Sequence, residues 1–530
     1  MRRTAARALA TIAVIPFTAV GSEETLLEEI VVTASFVGVN ESSATRPIHV
    51  LDGEAMTGAG VQSLGEHVDA LLGVSSADFG AAVGQPIIRG MSGNRVKVLN
   101  NGTVIRDVSA LGPDHAVDVS LNDVKQIEIV RGPSALMYSN GSIGGIVNVV
   151  DNSIPTTDLE GFSGTVGAEA QSVNDGEAVD LTLRGNVGGL NLTYSYQDVD
   201  MEDYEIPKGA VLDMHEGHHD EDHEDEHEDH EEGHEEDHEE GHGDMDKLAN
   251  SDVSTTSHRL GLSTTGDWGY VGLSYSDLSS TYGIPFHSEA AHEEHGDEHE
   301  GEHEEGHEEG EEHHDEHEGD DHAGHDEHGE ERIFSKTESE IIALSGSFKT
   351  SIPFLNAIDF AVKNTDYELM EQHAEGEEEE GHEGHDHAEG PTVFSNEATE
   401  ISIAFDLSAG ERIRRVVLNY AEEEISIIGE EAFMAPVDST ETTLGFFSSD
   451  DLGFATLDVG LRFDQVDRDG FVAEMHHDDD HGEEHEGDHD EDHEGDHDED
   501  HEGEHEEHHE DEMVYEGASF SDEVFSAAAT

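Results

Sequence analysis

The 530-residue sequence contains no cysteine and few basic residues. Lys and Arg number 23 against 128 Asp and Glu, which gives a formal net charge of −105 at pH 7. The absence of cysteine excludes disulfide bonds and thiolate metal sites, although it does not fix a compartment. The acidic excess argues against a nucleic-acid partner, because phosphate groups would be repelled.

Long apolar segments are also scarce. After the N-terminus, no stretch approaches the roughly 20 apolar residues of a transmembrane helix. The N-terminus itself carries Arg2, Arg3 and Arg7, then an apolar stretch over residues 8–20 and two small residues. This pattern predicts a signal peptide over residues 1–22. If the protein spans a membrane, we expect it to do so with β-strands.

The acidic residues are concentrated, together with the histidines, in four segments that we call the His/acid tracts. They hold 36 of the 40 histidines, 67 acidic residues and no Lys or Arg. The tracts are residues 215–244, 287–329, 373–389 and 476–512. Without them, the remainder of the chain has the composition of an ordinary, mildly acidic protein.

The tracts are candidate metal-binding segments. Imidazole and carboxylate groups together suit zinc and other first-row divalent ions. A solvated acidic loop is the usual interpretation of a charge run, but it does not require so many histidines. We therefore predict redundant metal capture without a unique geometry. The candidate ligands are His215, His219, His223, His227, His287, His292, His295, His299, His382, His385, His485 and His489.

Two structural regions follow the leader. Residues 36–155 have short apolar runs punctuated by Gly and Asn, which predicts a small mixed α/β domain. From about residue 160, apolar and polar residues alternate, as in Leu190, Leu192 and Tyr194, which predicts strands with one polar face. A soluble β-sandwich can show the same alternation. However, very short links alternate with long ones that contain the tracts, which is the pattern of an outer-membrane barrel with its long loops outside the cell. We therefore expect all four tracts to leave the barrel from one rim.

Three segments resemble TonB-dependent receptors. Residues 127–138 (IEIVRGPSALMY), continuing through 144–149, resemble the signature region of the plug domain, and residues 86–90 (PIIRG) resemble its core. A short segment before them resembles the TonB box, a peptide that can add as a strand to the sheet edge of a partner. Its residues are Glu29, Ile30, Val31, Val32 and Thr33.

The resemblance implies a transmembrane antiparallel β-barrel of 22 strands in the outer membrane, with an N-terminal α/β plug in its lumen. It implies a TonB-box region at 28–35, a plug at 36–155 and a barrel at 156–530. The partners would be the TonB energy-transducing complex and outer-membrane lipid. We find only about twelve strands, among them 355–369 and 452–467. The barrel is therefore either unusually small or, as we expect, truncated within this chain.

Asp114 and His115 place an acid beside an imidazole within the predicted plug. They resemble the Asp-His pair of the zinc-type subfamily, whose plug apex supplies ligands to a metal in the lumen. A turn aspartate next to an exposed histidine is the alternative. Residues 282–287 (YGIPFH) resemble the start of the same subfamily's His-rich loop. The barrel residues that would complete such a site cannot be assigned from the sequence.

These observations predict TonB-dependent uptake of a divalent metal ion, zinc by resemblance, with the tracts capturing metal at the surface. Two other functions remain open: a siderophore or cobalamin receptor whose loops scavenge metal, and a surface metal-buffering protein. We find no nucleophile–base motif, and so expect neither an enzyme nor an organic cofactor. Ligand preferences overlap too much to separate zinc from nickel, cobalt, copper or manganese.

Overall fold

The structure is a computed structural model. It describes residues 49–139, 141–207, 210, 247–285, 332–374, 390–410, 412–429, 432, 434–474 and 514–530. The predicted signal peptide and TonB box lie outside these residues, as do nearly all residues of the four tracts. Across the described ranges, no helix has both the length and the apolar character needed to cross a membrane.

The N-terminal region folds as a small mixed α/β domain, which we call the plug. Its elements are β1 (His49–Asp52), α1 (Gly53–Ala59), α2 (Leu64–Asp69), β2 (Val74–Phe79), β3 (Val83–Ile88), β4 (Val96–Asn100), β5 (Thr103–Val104), β6 (Val124–Val130) and β7 (Gly145–Asp151), with 3-10 helices at Gly93–Arg95 and Pro133–Met137. Five strands form one sheet in the order β1-β6-β7-β4-β5, in which β4 and β7 are parallel. Strands β2 and β3 form a separate hairpin.

The plug has an apolar core of its own. Ile127 and Ile129 of β6 pack with Val147 and Val149 of β7, and all four side chains are fully buried. Helix α2 begins at a capping box in which Ser63 and Glu66 satisfy each other's backbone N–H groups. The predicted α/β domain is therefore confirmed, and this core cluster consists of plug residues alone.

Twelve further strands form one large antiparallel sheet, which we call the wall. They are β8 (Phe162–Ala170), β9 (Glu177–Val187), β10 (Leu190–Met201), β13 (Val253–Gly266), β14 (Gly269–Gly283), β15 (Arg332–Lys349), β16 (Ala357–Ala374), β17 (Thr392–Asp406), β18 (Ile413–Ile428), β19 (Val437–Asp451), β20 (Thr456–Glu474) and β21 (Val514–Ala529). Neighbours in the chain are neighbours in the sheet, with β8 and β21 at its two ends. A short pair, β11 (Tyr204–Glu205) and β12 (Lys247–Leu248), lies between β10 and β13 in the chain.

The twelve predicted strands are confirmed, but several of their ends differ. Strand β16 ends at Ala374 instead of residue 369, and β20 ends at Glu474 instead of residue 467. His373, which we assigned to the third tract, is therefore a strand residue, and the predicted boundary at 373 was wrong. Backbone pairing continues there because a ladder needs no apolar side chains, and β16 keeps its register with β15 up to Ala374.

The two faces of the wall differ in polarity. On β13, Ser257, Arg259 and Ser263 are buried against the plug side, whereas Leu260 between them is 49% exposed. On β20, Arg462 and Asp464 are buried, and Phe463 is 40% exposed. A sheet that buries polar side chains and exposes apolar ones has the polarity of a membrane barrel.

The strand ends that flank the four tracts lie on one edge of the wall. Met201 pairs with Val253, which in turn pairs with Tyr282. Further along the same edge, Arg332 pairs with Ala374, and Glu474 pairs with Val514. We call this edge the tract rim. The prediction that all four tracts leave from one side of the sheet is therefore confirmed for their points of attachment.

Candidate metal-binding site

The plug and the wall bring three candidate metal ligands together near the tract rim. Asp114 and His115 belong to the plug, and Glu371 belongs to β16 of the wall. Their candidate ligand atoms all lie within 4.8 Å of one another. The Nε2 atom of His115 is 3.1 Å from Oε1 of Glu371. A search of the described residues for three or more His and acidic side chains spaced closely enough to hold a metal ion finds these three.

The loop that carries Asp114 and His115 is folded around a partly buried carboxylate, that of Asp107. Asp107 accepts hydrogen bonds from the backbone N–H of Ser109 at 3.2 Å and from its hydroxyl at 2.8 Å. Its other oxygen accepts from the backbone N–H of Asp118 at 2.9 Å. Because residues 109 and 118 are tied to one side chain, the segment between them must return on itself, which places residues 114 and 115 at its apex.

The surroundings of His115 select one of its ring nitrogens as a ligand. The side chain is almost fully buried, and its Nδ1 lies 3.0 Å from the carbonyl oxygen of Val108. A carbonyl oxygen only accepts, so Nδ1 carries the proton that it donates. The ring of Phe394 packs edge-on against the imidazole, with 4.8 Å between the two ring centroids. This arrangement leaves Nε2 facing Glu371, as in metal sites where a backbone carbonyl orients the imidazole.

The groups around His115 favour the protonated imidazole when no metal is bound. Burial lowers its pKa, but the hydrogen bonds to Glu371 and to the Val108 carbonyl, and the charges of Glu371 and Asp114, outweigh burial. The pKa of His115 is therefore raised above its usual value of 6.5. A proton on Nε2 and a metal ion occupy the same position, so they compete for this nitrogen.

Gly112 leaves open the space between two of the ligands. A Cβ atom at this position would lie 2.6 Å from Oδ1 of Asp114 and 3.1 Å from Nε2 of His115. Any side chain here would press on the atoms that must converge on a metal. The glycine therefore permits the approach of an ion, and the mixed nitrogen and oxygen donor set fits a divalent first-row ion.

The structure places Asp114 and His115 beside Glu371, which sequence reasoning missed, and the metal-binding role of the pair stays a prediction. The strand was predicted to end at residue 369, so Glu371 fell between a strand and a tract. Its inward position follows from the alternation along β16, where Glu368 is exposed and Leu369 is buried. All twelve candidate histidines of the tracts, and the five residues of the TonB box, lie outside the described residues, and their roles stay predictions.

A second polar cluster joins the same loop to the wall. The guanidinium of Arg106 lies 3.6 Å from Glu400 and 3.2 Å from Glu423. Lys363 of β16, which is 3% exposed, lies 3.4 Å from the carbonyl oxygen of Val104. The segment that leads to the metal-binding loop is therefore held to the wall by charged groups.

Comparison with known proteins identifies the plug. Residues 40–146 match the family described as TonB-dependent Receptor Plug Domain. The vitamin B12 transporter BtuB of Photobacterium profundum is 27% identical over 138 residues, which are 26% of this chain and 22% of that protein. A BtuB protein of Vibrio vulnificus is also 27% identical, over 126 residues.

Solved structures match the plug and the wall together. The copper transporter OprC has a TM-score of 0.56 at 10% identity, with 91% of this chain and 60% of that chain covered. The ferric yersiniabactin receptor FyuA of Yersinia pestis has a TM-score of 0.52 at 13% identity, with 92% and 62% covered. The FrpB iron transporter of Neisseria meningitidis has a TM-score of 0.53 at 12% identity, with 81% and 63% covered.

These comparisons establish the fold. The chain has a TonB-dependent receptor plug domain and a twelve-stranded antiparallel sheet that matches the barrels of such receptors. It spans about 60% of the length of the solved structures that it matches. The proteins reported above are named as transporters and receptors.

Proposed function

We propose that the protein is an outer-membrane receptor for TonB-dependent uptake of a divalent metal ion, and that this ion is zinc. The observation that carries the proposal is the convergence of Asp114, His115 and Glu371 beneath the tract rim. One imidazole and two carboxylates offer borderline and hard donors, a set that suits zinc. The fold matches that of barrel receptors, whose surroundings are lipid.

The tracts and the site act in sequence. Glu371 lies three residues before the end of β16, from which the third tract continues. Tyr282 lies one residue before the end of β14, from which the second tract continues. Ions that are loosely gathered by the many histidines of these tracts are thus delivered to strand ends that border the site. Because the ligands come from two bodies, a shift of the plug away from the wall would separate Glu371 from the other two and release the ion.

A site-specific measurement can test this proposal despite the many histidines of the chain. Trypsin cleavage after Arg106 and Lys125 yields peptide 107–125, in which His115 is the single histidine. Hydrogen exchange at the imidazole Cε1 of His115 should slow as zinc occupies Nε2. A chelator buffer fixes the free zinc concentration, so binding by the tracts does not distort the titration.

We expect Glu371→Gln to raise the half-saturating free zinc by at least as much as the loss of an outer-shell partner does, roughly 10- to 100-fold. The matched control is Glu368→Gln, which changes an exposed glutamate on the opposite face of the same strand. Uptake of labelled zinc by cells should fall in the first variant only. A parent protein in which zinc never slows exchange at His115 would refute the lumen site.

Coupling to TonB rests on the segment Glu29 to Thr33. Replacing Val31 with Pro removes a backbone donor and fixes φ, so pairing with a partner strand should fail. We expect Val31→Pro to abolish uptake while zinc still slows exchange at His115. Unchanged uptake in this variant would exclude the segment as the TonB box.

A cobalamin receptor is the second candidate, because both sequence relatives reported above are vitamin B12 transporters. The similarity to BtuB of Photobacterium profundum covers 138 residues of this chain. A plug is common to receptors for different ligands, so this likeness favours cobalamin only weakly. Excess cyanocobalamin should leave zinc uptake unchanged if zinc is the substrate. Uptake of labelled cobalamin that is insensitive to Glu371→Gln would favour the second candidate.

A further inference from the structure

The backbone around the ligand pair is held by a tyrosine of the wall. The phenolic oxygen of Tyr282 accepts a hydrogen bond from the backbone N–H of Ala116 at 3.2 Å. The same hydroxyl donates to the carbonyl oxygen of Asp114 at 3.3 Å. Tyr282 is 1% exposed, so its position is set by packing. One rigid side chain thus contacts the backbone on both sides of His115.

A glutamine of the plug holds the opposite side of the same loop. The Nε2 group of Gln85 donates to the carbonyl oxygens of Ser109 at 2.7 Å, Gly112 at 2.9 Å and His115 at 3.0 Å. Two N–H hydrogens therefore serve three carbonyl groups. Gln85 is buried on β3, so the amide is not free to exchange these acceptors for water. Without it, buried carbonyl groups would lose their partner.

We propose that Tyr282 and Gln85 are positioning residues that fix the metal-binding loop, an inference that rests on the proposed function. Neither side chain belongs to the group of ligand atoms, and both act through the backbone of residues 109–116. With this backbone fixed, Asp114 and His115 face Glu371 before an ion arrives. Such preorganisation raises affinity because less ordering is needed on binding.

The chain offers a matched pair of variants for Tyr282. Tyr282→Phe removes both hydrogen bonds to the loop and keeps the buried aromatic ring. The control is Tyr367→Phe on β16, because Tyr367 is equally buried and, among the described residues, its hydroxyl makes no hydrogen bond to the loop of residues 109–116. The readout is the free zinc concentration that half-slows hydrogen exchange at His115 in the intact, membrane-reconstituted chain.

We expect Tyr282→Phe to raise the half-saturating zinc roughly three- to tenfold, the range that corresponds to one or two modest hydrogen bonds. The control should remain at the parent value. In cells, Tyr282→Phe should shift the zinc concentration for half-maximal uptake and leave the maximal rate unchanged. A purely structural role would instead lower the maximal rate through loss of folded protein.

Gln85→Met supplies a second, independent variant, since it removes the donor group at similar side-chain length. Like Tyr282→Phe, it should raise the zinc concentration that half-slows hydrogen exchange at His115. Parent-like titrations in both variants would overturn the positioning role, even if Glu371→Gln abolishes binding. Conversely, absence of any zinc effect at His115 in the parent would overturn the proposed function itself, so the two failures are distinguishable.

Discussion

The plug and the wall differ in the side chains that dominate their interiors. In the plug, Ile127 and Val147 are fully buried in an apolar cluster. In the wall, Arg462 is 1% exposed, Asp464 is fully buried and Lys363 is 3% exposed. The plug therefore hides apolar surface as a water-soluble domain does. The wall keeps its polar groups inside and leaves its apolar groups outside, which is stable only where the outer surroundings are apolar.

The metal-binding site lies where these two kinds of packing meet. Asp114 and His115 project from a loop of the plug, and Glu371 projects from the polar face of the wall. A carboxylate is easily accommodated on that face because the wall already pairs buried charges with one another. The difference between the regions thus explains why the His115–Glu371 pair lies where the plug meets the polar face of the wall.

The largest effect on stability is expected from breaking the charge cluster of the wall. Arg462 donates from Nε to both oxygens of Asp464 at 2.7 and 2.9 Å, and from Nη2 to Glu441 at 2.9 Å. Arg462→Met leaves those carboxylates buried without their partner, which costs roughly 3–5 kcal/mol. Urea unfolding in detergent, followed by the fluorescence of Trp268, measures the loss. The control is Arg412→Met, because the Arg412 side chain is 67% exposed and surface pairs contribute about 0–1 kcal/mol.

If Arg462→Met unfolds at the same urea concentration as Arg412→Met, the cluster contributes nothing and the wall is stabilised by its backbone ladder alone. That result would weaken the contrast between the two regions. The same guanidinium also donates from Nη1 to the carbonyl oxygen of Leu136 at 3.2 Å, so the substitution should loosen the seating of the plug as well.

A cavity in the plug should have the next largest effect. Ile127→Ala removes part of a fully buried side chain, for which roughly 2–5 kcal/mol is expected. The comparison variant is Leu72→Ala, since Leu72 is 84% exposed and its truncation should change stability by less than about 0.5 kcal/mol. Hydrogen exchange of plug amides, measured by mass spectrometry, separates this loss from any change in the wall. Equal protection in the two variants would contradict an independently packed plug core.

A charge placed on the outer face of the wall tests the other half of the comparison. Leu344 of β15 is 38% exposed, and Leu344→Lys places an ammonium group among the apolar side chains of that face. In lipid this costs roughly 2–4 kcal/mol at the bilayer midplane and less near the interface. The control is Glu340→Lys, four residues nearer the tract rim at an already charged position. Equal tolerance of both substitutions in vesicles would indicate that this face does not contact lipid.

The strands could be predicted from the sequence because their period of two is a local property. Leu457, Val459, Leu461 and Phe463 alternate with polar residues, and this alternation identified β20. The ends could not be predicted, because pairing with a neighbour carries β16 to Ala374 without apolar side chains. Strand ends near the tracts therefore depend on register with adjacent strands and not on composition.

The metal-binding site was predictable only in part for a related reason. Asp114 and His115 are adjacent in the sequence, so a single segment displays them. Glu371 is 256 residues beyond His115, and their contact depends on the register of β16 and on how the plug is seated. Gln85 and Tyr282 are likewise distant from the loop that they hold. No local pattern marks such partners, because the interaction arises from tertiary packing.

The smallest effect concerns Asp118, a plug carboxyl that faces the polar wall and accepts a hydrogen bond from Ser339 at 2.7 Å. Burial and the charge of Asp107 raise its pKa, the hydrogen bond from Ser339 and the charges of Lys363 and Arg259 lower it, and the net value is about 6. The folded pKa thus lies above the unfolded value of 3.8, so the folded state favours the protonated form. Asp118 therefore contributes to the free energy of unfolding below about pH 4, and this contribution is lost as the pH rises through 6.

Asp118→Asn should remove this dependence, because a carboxamide keeps an acceptor for Ser339 and does not ionise. The stability of the parent relative to the variant should fall by roughly 2 kcal/mol between pH 4 and pH 6 and level off about one pH unit higher. The difference between the two urea midpoints, measured at each pH, cancels the titration of the many histidines. Asp69→Asn, at the exposed end of α2, is the control and should follow the parent. A parent–variant difference that stays level across this range would mean that Asp118 titrates like an exposed carboxyl, and that burial against the wall is less complete for the plug's acids than for Asp464.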